Sequence, residues 1–103
     1  MPLTRDFKDT IRERAQRDPE FRGALLAEAA QALLAGEPDV TKAVLRDYVN
    51  ATVGFEQLSK QVRIPKKSLM RMLSKSGNPT LESMTAILAS LQEHEGREFI
   101  VSF

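Results

Sequence analysis

Apolar residues recur every three or four positions along most of the chain, which is the period of amphipathic helices. The first segment predicts a helix over residues 4–17. Asp18 and Pro19 then predict the start of a second helix, as its N-cap and first residue, which should span 20–35 and end at Gly36. The apolar positions of the first helix are Leu3, Phe7 and Ile11, and those of the second are Phe21, Leu25, Leu26, Ala29, Leu33 and Leu34.

A third helix with a wide apolar face is predicted to begin at Asp39 as its cap and to run to about Ala51. Arg46 and Asp47 fall on the face opposite the apolar residues, so they are expected to be exposed. The apolar positions are Val40, Ala43, Val44, Leu45, Tyr48 and Val49.

The last helix follows a loop of breaker residues, with Asn78 or Thr80 as its cap, and should end near Gly96. From 97–103 the apolar period changes to two, which predicts a short strand that would pair with a second chain. The apolar positions are Leu81, Met84, Ile87, Leu88 and Leu91 in the helix, and Phe99, Val101 and Phe103 in the strand. A frayed tail is the alternative for this terminus.

A more specific spacing lies in 55–74, where the apolar residues fit two short helices packed across a tight turn, a helix-turn-helix. Residues spaced three or four apart share one face of a helix, so each short helix has an inner face, and one residue fills the corner between them. These positions are Leu58 and Val62, Ile64 at the corner, and Leu69 and Met72. The last helix should pack beneath this unit.

Two residues depart from the usual helix-turn-helix pattern. Ser59 stands where a very small side chain is usual, and Arg63 stands where glycine is usual, because the turn favours a positive φ. Arg63 is therefore expected in the left-handed region, unless the turn is a variant that avoids positive φ. Two packed helices with no role in DNA binding remain an alternative on spacing alone.

Charge favours the DNA-binding interpretation. Residues 54–79 contain six basic residues and the single acid Glu56, a net charge of plus 5 in a chain whose total is plus 1. Positive charge collected on the recognition element is typical of a protein that binds phosphates. On a helix over 65–74, four side chains opposite the inner face are predicted to contact bases: Lys66, Lys67, Met70 and Arg71. Residues at helix ends or in the following loop are predicted to contact phosphates: Lys60, Arg63, Lys75, Ser76 and Asn78.

Length and composition predict one all-α domain over 1–103, of five to six helices with a short C-terminal β-strand. Its parts are N-terminal helices in 1–53, the helix-turn-helix with its supporting helix in 54–95, and the strand at 97–103. The chain contains no cysteine and one histidine, His94, whose glutamate neighbours do not converge on one ion, so we expect no catalytic site, metal or cofactor. With no apolar N-terminal segment and no membrane-length run, a cytoplasmic location is expected.

The chain resembles the small Xre-type, lambda-repressor-like regulators of the addiction-module antidote group, which are close relatives of the HigA antitoxins. The resemblance covers about half of the chain, 54–91, and its most specific part is the loop sequence LSKSGNPT at 73–80. It implies a five- to six-helix DNA-binding protein that dimerises, represses its own operon and often neutralises a toxin from the adjacent gene. No tail rich in proline, serine or charge is evident as a toxin-binding arm, and the C-terminal strand departs from many members of the group.

One helix-turn-helix covers few base pairs, so a symmetric homodimer on an inverted repeat of double-stranded DNA is expected. The alternative is a protein-interaction module that binds a toxin or another partner through its helices. Salt dependence separates the two, because phosphate contacts release counterions and apolar contacts do not.

Overall fold

The computed structural model describes residues 3–103, with side chains from residue 10 onward. These residues form six helices and no strand, which confirms the all-α prediction. The helices are α1 Leu3–Arg17, α2 Pro19–Leu34, α3 Pro38–Ala51, α4 Phe55–Val62, α5 Lys66–Met72 and α6 Leu81–Glu95. None of the described helices is both long enough and apolar enough to cross a membrane.

The starts of α2 and α6 and the end of α6 follow from local capping chemistry, as predicted. The Asp18 carboxylate accepts a hydrogen bond from the Phe21 amide at 3.2 Å at the start of α2. The Thr80 hydroxyl accepts one from the Ser83 amide at 3.0 Å at the start of α6. That helix ends at Gly96, whose φ of 72° is accessible to glycine at little cost.

The start of α3 differs from the prediction. Asp39 is not its cap, since the helix begins at Pro38 and the capping position is Glu37, whose side chain makes no capping hydrogen bond. Proline supplies a helical φ and no amide, so the helix begins two residues earlier than the aspartate pattern indicates. The Asp39 carboxylate instead lies 3.4 Å from the amino group of Lys42.

One apolar core joins α2, α3, the α4–α5 pair and α6. Its members are Leu26, Ala29, Leu45, Tyr48, Val49, Phe55, Leu58, Leu69, Leu73, Met84, Ile87 and Leu91. The helix-turn-helix residues Val62, Ile64 and Met72 pack against it half-buried, so the predicted inner face is confirmed. Because α6 supplies Met84, Ile87 and Leu91 to this core and packs directly against α4, the last helix does lie beneath the unit.

Four predicted core residues are exposed: Leu33, Leu34, Val40 and Leu81. They lie at the end of α2 and at the starts of α3 and α6. Helical period alone does not show which apolar positions near a helix end stay uncovered. The stripe predicted at Leu3 and Phe7 lies outside the described side chains, and Ile11 is half-buried.

A buried polar cluster connects α2, α3 and α6. The Tyr48 hydroxyl donates to the Glu95 carboxylate, which also lies 3.0 Å from Nε of Arg22. The Arg22 guanidinium donates in addition to the Ala15 carbonyl at 2.7 Å. Burial raises the pKa of Tyr48, and the adjacent Glu95 carboxylate raises it further, so the hydroxyl remains a neutral donor far above neutral pH.

The predicted strand at 97–103 does not form in the single chain. A strand needs a partner backbone, and the described residues offer none. Side chains hold the segment instead: Arg97 donates to the Pro19 carbonyl at 3.0 Å, and the Phe99 amide donates to Gln92 Oε1 at 2.6 Å. Phe99 packs against the core, whereas Ile100, Val101 and Phe103 are exposed.

Candidate nucleic-acid interface

The turn between α4 and α5 adopts the geometry that usually calls for glycine. Arg63 has φ 59° and ψ 40°, so it lies in the left-handed region, as expected, and among the described residues it is the one non-glycine with a positive φ. Its amide donates to the Ser59 carbonyl at 2.9 Å and closes α4. The Ser59 hydroxyl donates to the Ile64 carbonyl at 2.6 Å. Ser59 is therefore small enough for the crossing and also ties the two sides of the turn together.

The outward face of α5 carries the four predicted base-contacting side chains, all of them exposed: Lys66, Lys67, Met70 and Arg71. Met70 is 48% exposed, although Leu69 before it is fully buried. This alternation follows from packing: Leu69 and Met72 turn toward the core, so the residues between and before them face solvent. The five predicted phosphate-contacting residues are exposed as well: Lys60, Arg63, Lys75, Ser76 and Asn78.

The basic residues of this unit carry charge that no described residue neutralises through an ion pair. Ion pairs elsewhere join Arg14 to Asp18, Arg22 to Glu95, Lys42 to Asp39 and Arg97 to Glu20. No comparable pair with a described residue involves Lys60, Arg63, Lys66, Lys67, Arg71 or Lys75. Their six charges therefore remain available to an anionic partner, and they all belong to α4, α5 and the two segments that follow these helices.

Two cationic side chains of α3 donate hydrogen bonds to the end of α5 and to the loop after it. Neither contact was predicted from the sequence. Arg46 was expected to be exposed, but its guanidinium donates to the Leu73 carbonyl at 2.8 Å and so caps the C-terminal end of α5. Lys42 is only 6% exposed, and its amino group donates to the carbonyls of Lys75 at 3.0 Å and Gly77 at 2.7 Å. The two cations lie four residues apart on one helix, which is the one sequence signal that they share a face.

The loop after α5 folds back closely on the helix that precedes it. A Cβ atom placed on Gly77 would lie 2.1 Å from the Arg71 carbonyl oxygen and 2.4 Å from that of Met72. Both neighbours are backbone atoms, so they cannot move aside as a flexible side chain would. The close approach of the backbone therefore requires glycine at position 77 of the loop.

The rest of the described chain offers no comparable chemical site. His94 is exposed, and no group of three or more histidine, cysteine, aspartate or glutamate residues in the described part is arranged to hold a metal ion. Comparison with protein-family models, with curated proteins and with solved structures gives no match for the chain. The candidate functional site is therefore the α4–α5 unit, with its exposed cations.

Proposed function

We propose that the protein binds double-stranded DNA sequence-specifically, with α5 in the major groove, and acts as a transcriptional repressor of the lambda-repressor-like type. The observation that carries the proposal is the coincidence of two features in 55–78: a helix-turn-helix with its glycine-type turn at Arg63, and six exposed cations without ion-pair partners among the described residues. A pair of helices that served only the core would not need such a surface.

Within this proposal the side chains divide by position. Lys66, Lys67 and Arg71 can donate to guanine O6 and N7, and Met70 can contact a thymine methyl, each good base contact being worth roughly 1 to 3 kcal/mol of discrimination. The phosphate group, Lys60, Arg63, Lys75, Ser76 and Asn78, fixes the register of α5 without reading sequence. Because one recognition helix covers few base pairs, the active form is a homodimer on an inverted repeat.

The rival proposal is an interaction module, and salt decides between the two. We expect the affinity for duplex DNA from upstream of the protein's own gene to fall steeply and linearly on a log–log plot as salt rises, because bound cations displace condensed counterions. Fluorescence anisotropy over a salt series measures this slope. A slope near zero, or no binding at low salt, would favour the interaction module and contradict the proposal.

The resemblance also implies that the protein binds a toxin. Both DNA binding and toxin binding would take place in the cytoplasm. Size-exclusion chromatography of the protein mixed with the product of the adjacent gene tests toxin binding. Co-elution at defined stoichiometry would support an antitoxin, and separate elution would leave the DNA-binding proposal intact without that role.

A further inference from the structure

The buried amino group of Lys42 lies directly behind the loop that follows α5. It donates to the carbonyls of Lys75 and Gly77, at 3.0 and 2.7 Å, and it is also 3.4 Å from the Asp39 carboxylate. A cation with only 6% of its surface exposed reaches no external ligand itself. Its contacts therefore act on the loop backbone.

Because the peptide bond is planar, these two contacts also set the direction of the backbone amides that follow the Lys75 and Gly77 carbonyls. In a trans peptide the carbonyl and the amide of the next residue point in opposite directions, and the described chain contains no cis peptide. When the Lys75 and Gly77 carbonyls point inward to Lys42, the amides of Ser76 and Asn78 point away from it. The Gly77 amide between them is used within the loop, by the Ser74 carbonyl at 3.0 Å.

The amides of Ser76 and Asn78 are available to a ligand. Both residues are exposed, and neither amide donates to an acceptor within the described chain. Two outward amides on one loop can bind an anion together, and a positive charge on the other side of the loop backbone strengthens that attraction. Lys75 adds an exposed cation on the same loop.

From this geometry we infer that Lys42 is a positioning residue, which turns the amides of Ser76 and Asn78 outward as a main-chain binding site for a phosphodiester group. The site deepens the proposed function, on which its biological role rests: the loop holds a DNA phosphate through its backbone as well as its side chains. Lys42 itself does not touch the ligand.

The first test compares variants on a mixed-sequence duplex, because phosphate contacts do not depend on sequence. Lys42→Met keeps the length of the side chain and removes the amino group. We expect it to weaken duplex binding on the order of tenfold, as for loss of hydrogen bonds to a charged group. The slope against salt should stay unchanged, since Lys42 neutralises no phosphate, whereas Lys75→Met should lower that slope by about one.

Ile87→Val serves as the matched control, because it trims a fully buried core residue of α6 and removes no polar group. All variants are measured at a temperature where circular dichroism shows them folded. Wild-type affinity in Lys42→Met, or a loss equal to that of Ile87→Val, would overturn the inference. A drop of about one in the slope of Lys42→Met would do so too, since Lys42 would then contact a phosphate directly.

The second test needs no variant. Wild-type protein is titrated with inorganic phosphate while backbone amide resonances are followed by NMR, and the Ser76 and Asn78 signals should shift first and furthest. Shifts of these two amides without any duplex binding would support the site while contradicting DNA as its partner. If phosphate leaves both signals unmoved, the inference fails even where duplex binding persists.

Discussion

At the scale of single residues, the two departures from the helix-turn-helix pattern have different consequences. Ser59 replaces a smaller side chain and adds a hydrogen bond to the Ile64 carbonyl. Arg63 keeps the left-handed backbone that glycine would adopt freely, at a cost of roughly 1 kcal/mol. A strained, charged residue at an exposed turn is explained if its side chain has a use, which the proposal supplies as a phosphate contact.

Arg63→Gly should therefore stabilise the fold by up to about 1 kcal/mol and weaken DNA binding. Arg63→Ala is its control, because it removes the same guanidinium and keeps the strain. Urea unfolding measures stability, and anisotropy measures affinity. We expect equal losses of affinity in both variants and a gain of stability in the glycine variant alone; a destabilised glycine variant would contradict the account of the turn.

The raised pKa of Tyr48 predicts that the free energy of unfolding depends on pH in the alkaline range. Its pKa is raised on folding, so its stabilising contribution is complete below the ordinary value of 10.0 and is lost as the pH rises above that value toward the folded pKa. Tyr48→Phe should cost about 1 to 3 kcal/mol at neutral pH, through loss of the hydrogen bond to Glu95.

The stability difference between wild type and Tyr48→Phe should shrink as the pH passes 10.0. Urea unfolding of both proteins at neutral and alkaline pH measures it. A difference that stays constant would show that the hydroxyl is not the titrating group.

Among the helices, α3 supports the α4–α5 unit through hydrogen bonds from its side chains. Arg46 caps the end of α5, Lys42 holds the loop beyond it, and Gly77 lets that loop approach the helix backbone. The C-terminal end of α5 and the loop after it are thus fixed by side chains of α3. A DNA-reading helix benefits from such support because base recognition depends on accurate placement.

Gly77→Ala should destabilise the protein by about 1 to 3 kcal/mol, since the added methyl overlaps two backbone carbonyls. Ser76→Ala, one residue earlier and exposed, is the matched control and should stay within about 0.5 kcal/mol of wild type. Thermal unfolding separates them. Equal stability of the two variants would mean that the loop opens at no cost.

Lys66→Ala and Arg71→Ala should each weaken binding to the protein's upstream DNA by roughly 1 to 3 kcal/mol, because each substitution removes the donor of a proposed base contact. Both side chains are exposed, so circular dichroism should show an unchanged fold. Arg17→Ala, an exposed cation at the end of α1, controls for net charge. Unchanged affinity in both α5 variants, or an equal loss in Arg17→Ala, would remove α5 from the recognition role.

At the scale of the whole molecule, the terminal segment and α2 form an apolar groove of about 600 Å³. Small residues of α2, among them Ala27 and Ala30, line its floor, and Leu34 and Ile100 stand exposed beside it. The backbone of 100–103 makes no hydrogen bond within the described chain. A segment whose backbone is unpaired suits pairing with a second copy, which is the form that the proposed homodimer would take.

Removal of Val101–Phe103 should therefore shift the protein toward monomer while Phe99 keeps its place in the core. Light scattering over a concentration series measures the mass. Ile100→Glu tests the same segment without truncation, and Leu81→Glu, another highly exposed apolar position, is its control on α6. If mass and DNA affinity stay unchanged in both tail variants, any dimer must be built from helices.

Local chemistry made much of the fold predictable: Asp18, Thr80 and Gly96 set boundaries through contacts with their own neighbours in sequence. The inner face of the α4–α5 unit was also predictable, because helical period decides it. The roles of Lys42 and Arg46 were not, since their acceptors lie 27 to 35 residues away in the chain. The exposure of Leu34 and Leu81 was not predictable either, since helical period does not show which apolar positions near a helix end are covered.

NMR chemical-shift mapping of the whole protein shows directly whether the α4–α5 unit and its loop form the DNA surface. Duplex DNA from upstream of the gene is titrated in, and every backbone amide is followed. We predict shifts concentrated in 60–78 and little change along α2. Shifts concentrated at α2 and 97–103, with the α5 amides unmoved, would contradict the account.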